Sequence, residues 1–244
     1  MLPKTVIVPE AMEALFAQAE SVVSTYFAAR KDQPEVGTIE IFEDRYVLVR
    51  GAALSVEFFS LVEELFGDER KDEARDFALN ILFDLAHAIG KSDAAEFHQK
   101  MGLTEPIERL SAGPVHFAFT GWAKVHISDE SVTGTAEEYK LVYDHPYSFE
   151  SHAWMQSGKV PEFPVCIMNA GYSSGWCEVS FGLPLVASEI LCKAKGDSCC
   201  RFVMAHPDYI ESKLDETLQA HGLMVPGRKQ QIPDFFARKR LEDE

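Results

Sequence analysis

Every cysteine of the chain falls between residues 166 and 200, at Cys166, Cys177, Cys192, Cys199 and Cys200, with Glu189 three residues ahead of Cys192. That clustering constrains the fold more than anything else in the sequence. Five is an odd number, so a framework of paired disulfides is not expected. The segment after Met1, LPKTVIVPE, has neither the basic start nor the apolar stretch of a signal peptide, and no run approaches the length of a membrane span. The chain reads as soluble and cytoplasmic, with no membrane contact. The residues alone leave two readings of the block open. Its thiols are ordinary buried core groups, or Cys166, Glu189, Cys192 and Cys200 converge on one ion. In the second case one turn of chain aims Glu189 and Cys192 together, and Cys166 and Cys200 approach from separate segments. Three thiolates at about 2.3 Å and a carboxylate oxygen at about 2.0–2.2 Å suit zinc, and four protein ligands leave no open position, which makes such a metal structural. Adjacent residues of an extended segment face opposite ways, so only one of Cys199 and Cys200 can serve. Cys177 and Cys199 are expected to pack.

Charge excludes one class of function. The net charge of −16 repels nucleic acid, and no basic patch or DNA-reading motif accompanies it, so no direct nucleic-acid contact is expected. Neither a GxxxxGK[ST] phosphate loop nor a GxGxxG fingerprint is present. Ser173 and Ser174 in GYSSGW do not match a GxSxG elbow between strand and helix, and the acidic residues read mostly as solvated helix faces. No catalytic residues are assigned, and the chain is expected not to be an enzyme.

Hydrophobic residues make up 46% of the chain, ample for a core. Residues 9 to about 30 place Met12, Leu15, Phe16, Ala19, Val22, Val23, Tyr26 and Phe27 at helical spacing, an amphipathic helix that packs on its own core or on a second copy. TIEIFEDRYVLVR predicts two short strands around a turn at Glu43 and Asp44, and LSVEFFSLVEELFG a helix closing at Gly67. From Asp72 to about Gly102 the period is helical again, with Ala78, Leu82, Leu85 and Ile89 as the buried face, widened by Phe77 and Ile81. His87 and His98 in that stretch read as surface or core-edge residues. VHFAFTGWAKVHIS and EEYKLVYD read as strands around a hairpin loop, DESVTGTA, and residues 148–157 as a helix. Segments mixed in this way predict an α+β fold, an antiparallel sheet with packed helices.

The block GYSSGW followed by SEILCKAKGDSCCRF closely resembles the four-vinyl-reductase-type domain, in the version found in the sensor region of aromatic-responsive transcriptional activators of the XylR, DmpR and MopR type. The resemblance runs over roughly residues 35–207 and is most specific over 166–203. It implies a structural zinc held by Cys166, Glu189, Cys192 and Cys200, and hence a zinc-stabilised C-terminal half. It also implies a buried site for a small aromatic or hydrophobic ligand. His116, expected on a strand, matches within one residue the histidine that hydrogen-bonds a phenol hydroxyl in the phenol-responsive relatives. His145 falls where the phenol sensor carries a tryptophan, so phenol specificity does not carry over unchanged. Tyr143, Tyr172, Trp176 and Trp122 are the accompanying aromatic ligand-binding candidates, with plain core packing as the other reading for each.

The resemblance further implies a homodimer, here assigned to the N-terminal helix with the first strand-helix unit. The division expected is a helical dimerisation segment over 1–34, a first part of the sensor region over 35–130, the zinc and ligand-binding domain over 131–207, and a C-terminal helix and signalling linker over 208–244. Relatives continue into an ATPase and a DNA-binding domain that these residues lack, so the output is expected from another domain or partner. Two other classes stay open: an enzyme or enzyme accessory acting on a hydrophobic small molecule, reductase-like by the domain's name, and an assembly module, because the same core fold occurs in vesicle-tethering subunits.

Overall fold

The structure, a computed structural model, is described here over residues 4–223. Its first half runs β1 (Val6–Ile7), α1 (Glu13–Ala28), β2 (Lys31–Gln33), β3 (Thr38–Ile41), β4 (Asp44–Tyr46), α2 (Val56–Phe66), α3 (Lys71–Met101) and α4 (Pro106–Phe119). The second half runs β5 (Ala123–Ile127), β6 (Leu141–Ser148), α5 (Phe149–Ser157), α6 (Ile167–Phe181), β7 (Val186–Leu191), β8 (Cys200–Ala205) and α7 (Ile210–Ala220). The fold is α+β, as the mixed segments predict. No helix among the described residues is long and apolar enough to cross a membrane.

Two sheets organise the chain. The larger has the order β1-β5-β6-β8-β7. It is antiparallel except at its edge, where Val6 and Ile7 run parallel to Val125 and His126. The smaller sheet is β2-β3-β4. Its β3–β4 turn is Phe42-Glu43, both at positive φ (51° and 75°), so the strand starts at Asp44 instead of turning there. The left-handed conformation costs a side-chain-bearing residue about 1–2 kcal/mol, and Phe42 offsets this by stacking on Tyr26 at 5.4 Å. The expected boundary at 130/131 falls between β5 and β6, which are neighbours in one sheet. That at 34/35 falls between β2 and β3, which are paired.

Helix ends follow the sequence closely and helix faces less so. Gly67 (φ 78°) follows α2, and Gly102 (φ 67°), left-handed, closes α3, where only glycine adopts such angles without strain. The buried face of α3 is Ala74, Ala78, Leu82, Phe83, Ala86, Gly90, Ala94 and Phe97. Leu85, expected on that face, and Phe77 and Ile81, expected to widen it, stand on the other side, each more than 40% exposed. A helix apolar on two sides gives a broad stripe whose centre the sequence does not mark. His87 and His98 are buried, not peripheral. The stripe on α1 is spent inside this chain: Phe16, Ala19, Val23 and Tyr26 are buried, and the helix packs on α4.

VHFAF, expected as a strand, is the last turn of α4, and only residues 123–127 of that run are extended. A fully buried apolar run has no period to separate helix from strand, and Pro114 inside α4 reads in sequence as a break. The tightest packing joins α3 to α6. A Cβ on Gly171 would meet the Phe83 carbonyl oxygen at 2.4 Å, and one on Gly175 the His87 carbonyl oxygen at 2.3 Å. The glycines of GYSSG therefore let two backbones touch. Ser174 ties the same helix to the sheet, donating to Ala170 O (2.7 Å) and accepting from the Ala187 N–H (2.9 Å). Residues 224–244, including the PGRKQQIPDFFARKRLEDE tail, lie outside the described residues; of the expected C-terminal region α7 is described.

A buried four-donor cluster beside an apolar cavity

Cys166 stands at the N-terminus of α6, Glu189 and Cys192 at the end of β7 and just beyond it, and Cys200 at the start of β8. All four are buried, and their donor atoms lie within 4.8 Å of one another. Cys166 Sγ and Cys200 Sγ are 3.6 Å apart, against a tetrahedral edge of about 3.8 Å for zinc–sulfur bonds of about 2.3 Å. Glu189 and Cys192 converge through a bulge, where one turn of chain was expected to aim them. Glu189 pairs with Phe202 and Leu191 with Arg201, leaving Ile190 as an extra residue. In a regular strand two residues three apart face opposite ways, and one inserted residue resets the alternation.

The cluster's hydrogen bonding fits a cation. Glu189 Oε2 accepts from the Cys166 N–H at 2.8 Å, whereas Oε1 is buried with no hydrogen-bond partner. Burial pushes the Cys166 thiol and the Glu189 carboxyl well above their ordinary values, so several acidic groups share a dry space that a divalent ion would let ionise. Groups around them fix their positions: Ser148 Oγ lies 3.2 Å from Cys166 Sγ, and the Lys193 N–H points at Cys200 Sγ at 3.4 Å. Glu150, an acidic residue that is wholly buried, accepts from the Met168 and Asn169 N–H groups (3.0 and 2.9 Å) and from Asn169 Nδ2 (2.7 Å). It caps α6, while burial pushes its carboxyl up to about 8.

One face of α6 also walls a cavity against α4 and the sheet. Tyr143, His145, Tyr172 and Trp176 line it, with Phe117, Ser173 and Cys177. Its free space is about 40 Å³, room for a few water-sized spheres. His145 is fully buried, and neither of its ring nitrogens has a hydrogen-bond partner. Burial pushes the imidazole down to about 3, so it is neutral, with one donor and one acceptor. Tyr143 and Ser173 pair at 2.6 Å through their hydroxyls. Because Ser173 donates to the Asn169 carbonyl (2.9 Å), Tyr143 donates to Ser173. Ser173 is thus held inside a helix rather than on an elbow.

His116 and Trp122 do not line this cavity. They face a second, open one of about 680 Å³ between α3, α4 and residues 44–49. Tyr172 connects the two. Its hydroxyl donates to Asp93 Oδ2 (2.8 Å) and lies 3.1 Å from His116 Nδ1, which donates to it in turn; its ring lies 4.7 Å from that of Trp122. Burial pushes His116 down to about 3 and Asp93 up to about 6. Phe117 and Asp93 were not singled out from sequence, and Ser173 was weighed there only as a nucleophile elbow. Phe117, next to His116, belongs to the run misread as a strand, and Asp93 resembles any helix-face acid until the α3–α6 contact is known.

No family model matches the chain, and no curated protein matches it. Among solved structures, the fold is similar to that of the phenol-responsive sensory domain of the transcription activator PoxR, crystallised with phenol. The TM-score is 0.66 at 22% identity, over 82% of this chain and 96% of that one. Trafficking protein particle complex subunit 3 from Naegleria fowleri, covalently bound to palmitic acid, matches with a TM-score of 0.40 at 14% identity, over 64% of this chain and 93% of that one. The second likeness is too low to argue from. The first places this chain in the class of folds used by such a sensory domain.

Proposed function

We propose that this chain is a ligand-sensing domain, not an enzyme. It binds a small aromatic or hydrophobic molecule carrying one hydroxyl or similar polar group, between Tyr143, His145, Tyr172 and Trp176, whose walls must part to admit it, since about 40 Å³ is free and a benzene-sized guest needs about 150 Å³. The observation that carries the reading is His145, a neutral imidazole buried in apolar walls with both nitrogens unpaired. Leaving a buried polar group unmet costs about 1–3 kcal/mol, which a ligand hydroxyl would recover at one of the two nitrogens. The PoxR domain's phenol supports the ligand class. In this reading His116 acts through Tyr172, which it holds against Asp93, and Trp122 backs the same ring. Zinc bound by Cys166, Glu189, Cys192 and Cys200 is structural: it fixes the start of α6, the helix that carries Tyr172, Ser173 and Trp176.

Occupancy would pass to an output domain or partner that regulates transcription or signalling, with the protein as a cytoplasmic homodimer. A ligand shifts such an equilibrium only by the difference in its affinity for the two arrangements. Calorimetry with phenol and with larger hydroxylated aromatics tests the assignment. Saturable binding that stabilises the fold, without turnover of the ligand, is the expected result; no binding by any of them, or conversion to product, would reject it.

A further inference from the structure

In a chain with 39 acidic and 23 basic residues, one surface cleft has no acid in its lining. It measures about 650 Å³, runs along the ends of β5 and β6 and the start of α5, and its titratable lining groups are Lys124, Tyr147, His152 and Lys193. Lys124 and Tyr147 are cross-strand partners, which puts their side chains on one face. Lys193 Nζ stands 5.7 Å from the Tyr147 ring and donates to the Pro146 carbonyl at 3.0 Å. Among the described residues the lysines in ion pairs are Lys71, Lys91, Lys100, Lys140 and Lys213; Lys124 and Lys193 are not among them. Tyr147 itself is 72% exposed, an unusual position for a large aromatic side chain.

We propose that this cleft is a second binding site, for a small organic anion with a flat apolar body, of the aryl carboxylate class. The carboxylate would lie between the ammonium groups of Lys124 and Lys193, and the ring against Tyr147 and Trp122. Three features favour a small molecule. The volume lies within the range of about 300–1,000 Å³ usual for such sites. One cation, Lys193, is held near the Tyr147 ring by the Pro146 carbonyl, and the other, Lys124, is that tyrosine's cross-strand neighbour. Acid is missing only locally, from a surface that is otherwise strongly acidic. The site is distinct from the cavity of His145, yet its floor reaches the four-donor cluster through Ser148 and the Lys193 N–H. An occupant would therefore touch the segments that fix α6.

Calorimetric titration of the full chain with benzoate tests the site, with benzylamine as the cation of similar shape. Benzoate is expected to bind and benzylamine not. The pair Lys124→Gln with Lys193→Gln should raise the benzoate Kd at least tenfold, and Lys124→Gln alone, on a half-exposed side chain, at least threefold. His145→Phe should leave it unchanged. The proposal is overturned if benzoate does not bind, if benzylamine binds equally well, or if Lys124→Gln leaves the Kd unaltered in protein whose circular dichroism and metal content match the wild type. Loss of benzoate binding in His145→Phe would also overturn it, by moving the ligand to the other cavity.

Discussion

A neutral imidazole buried with neither nitrogen paired carries an unmet cost that a histidine at the surface does not, and two such nitrogens make His145 the group most sensitive to a ligand's polarity. His145→Trp replaces a donor-acceptor with a donor-only indole and fills space. It is expected to shift preference toward the smallest phenols, by about tenfold or more relative to larger hydroxylated aromatics; an unchanged ranking in calorimetry would mean the ligand does not meet this residue. His116 makes a prediction about pH. Its folded value is near 3, against about 6.5 in an unfolded chain, so below pH 6.5 the unfolded chain takes up a proton that the fold excludes. The contribution of His116 is therefore fully present above pH 6.5 and lost as pH falls toward 3, at about 1.4 kcal/mol per pH unit. Asp93, raised to about 6, works in the opposite sense between about pH 6 and 4. The test is thus a difference between two proteins. Urea unfolding of wild type and His116→Asn should give a stability gap that is constant above pH 6.5 and narrows by about that slope below it. A gap independent of pH would show that His116 takes up its proton as readily in the fold as in the unfolded chain.

Between α3 and α6 the separation is set by backbone, because Gly171 and Gly175 face carbonyl oxygens at 2.4 and 2.3 Å from where a Cβ would stand. Neither carbonyl belongs to a flexible side chain, so Gly175→Ala must push the helices apart. Overpacking of this kind costs about 1–3 kcal/mol, occasionally more. Urea denaturation is expected to show a loss at the upper end of that range, together with weaker ligand binding, since α6 carries Tyr172 and Trp176; a loss below about 0.5 kcal/mol would mean the contact is looser than it stands here. The ends of α2 and α3 were legible because Gly67 and Gly102 mark them, and the four-donor cluster because Cys166, Glu189, Cys192 and Cys200 occur in a distinctive block; α6 was not read as a helix. The faces were not legible, since α3 is apolar both toward α6 and toward solvent. Neither was α4, whose buried run has no amphipathic period and contains a proline. β1 is two residues long and pairs with a strand more than a hundred residues away, which no local signal marks. Tyr143 and His145 lie where they could be found because β6 reads as a strand, while His116 turned away from the cavity once its segment proved helical.

At the scale of the molecule, the four-donor cluster joins the start of α6 to the end of β7 and the start of β8, and its loss should be global. One zinc per chain is expected, and Cys192→Ser should give metal-poor protein that unfolds or aggregates, since structural zinc contributes about 10–16 kcal/mol in small peptides. Cys177→Ser, at a residue lining the cavity but remote from the donors, should keep its metal; equal metal content in wild type and Cys192→Ser would reject the site. Dimerisation needs a surface, and α1 does not supply the one its stripe suggests, because Phe16 and Val23 are fully buried within this chain. Among the exposed apolar side chains, Leu61 and Leu65 on α2 and Phe77, Ile81 and Leu85 on α3, all between 42% and 73% exposed, stand on two neighbouring helices. Phe66 packs on Phe77 at 5.7 Å, which brings the end of α2 to the start of this stripe. A two-fold interface is self-complementary, and two copies of such a face can bury the roughly 1,200–2,000 Å² of a stable association. Full-length protein is therefore expected to sediment as a dimer, and Ile81→Glu as a folded monomer, because the new carboxylate would lose its water without gaining a partner. Removing residues 1–30 distinguishes the alternatives: it strips Phe16 and Val23 from the core and should precipitate the protein, whereas an interface built on α1 would leave a soluble monomer. A wild type that is monomeric at all concentrations, or an Ile81→Glu dimer of unchanged strength, would exclude this surface.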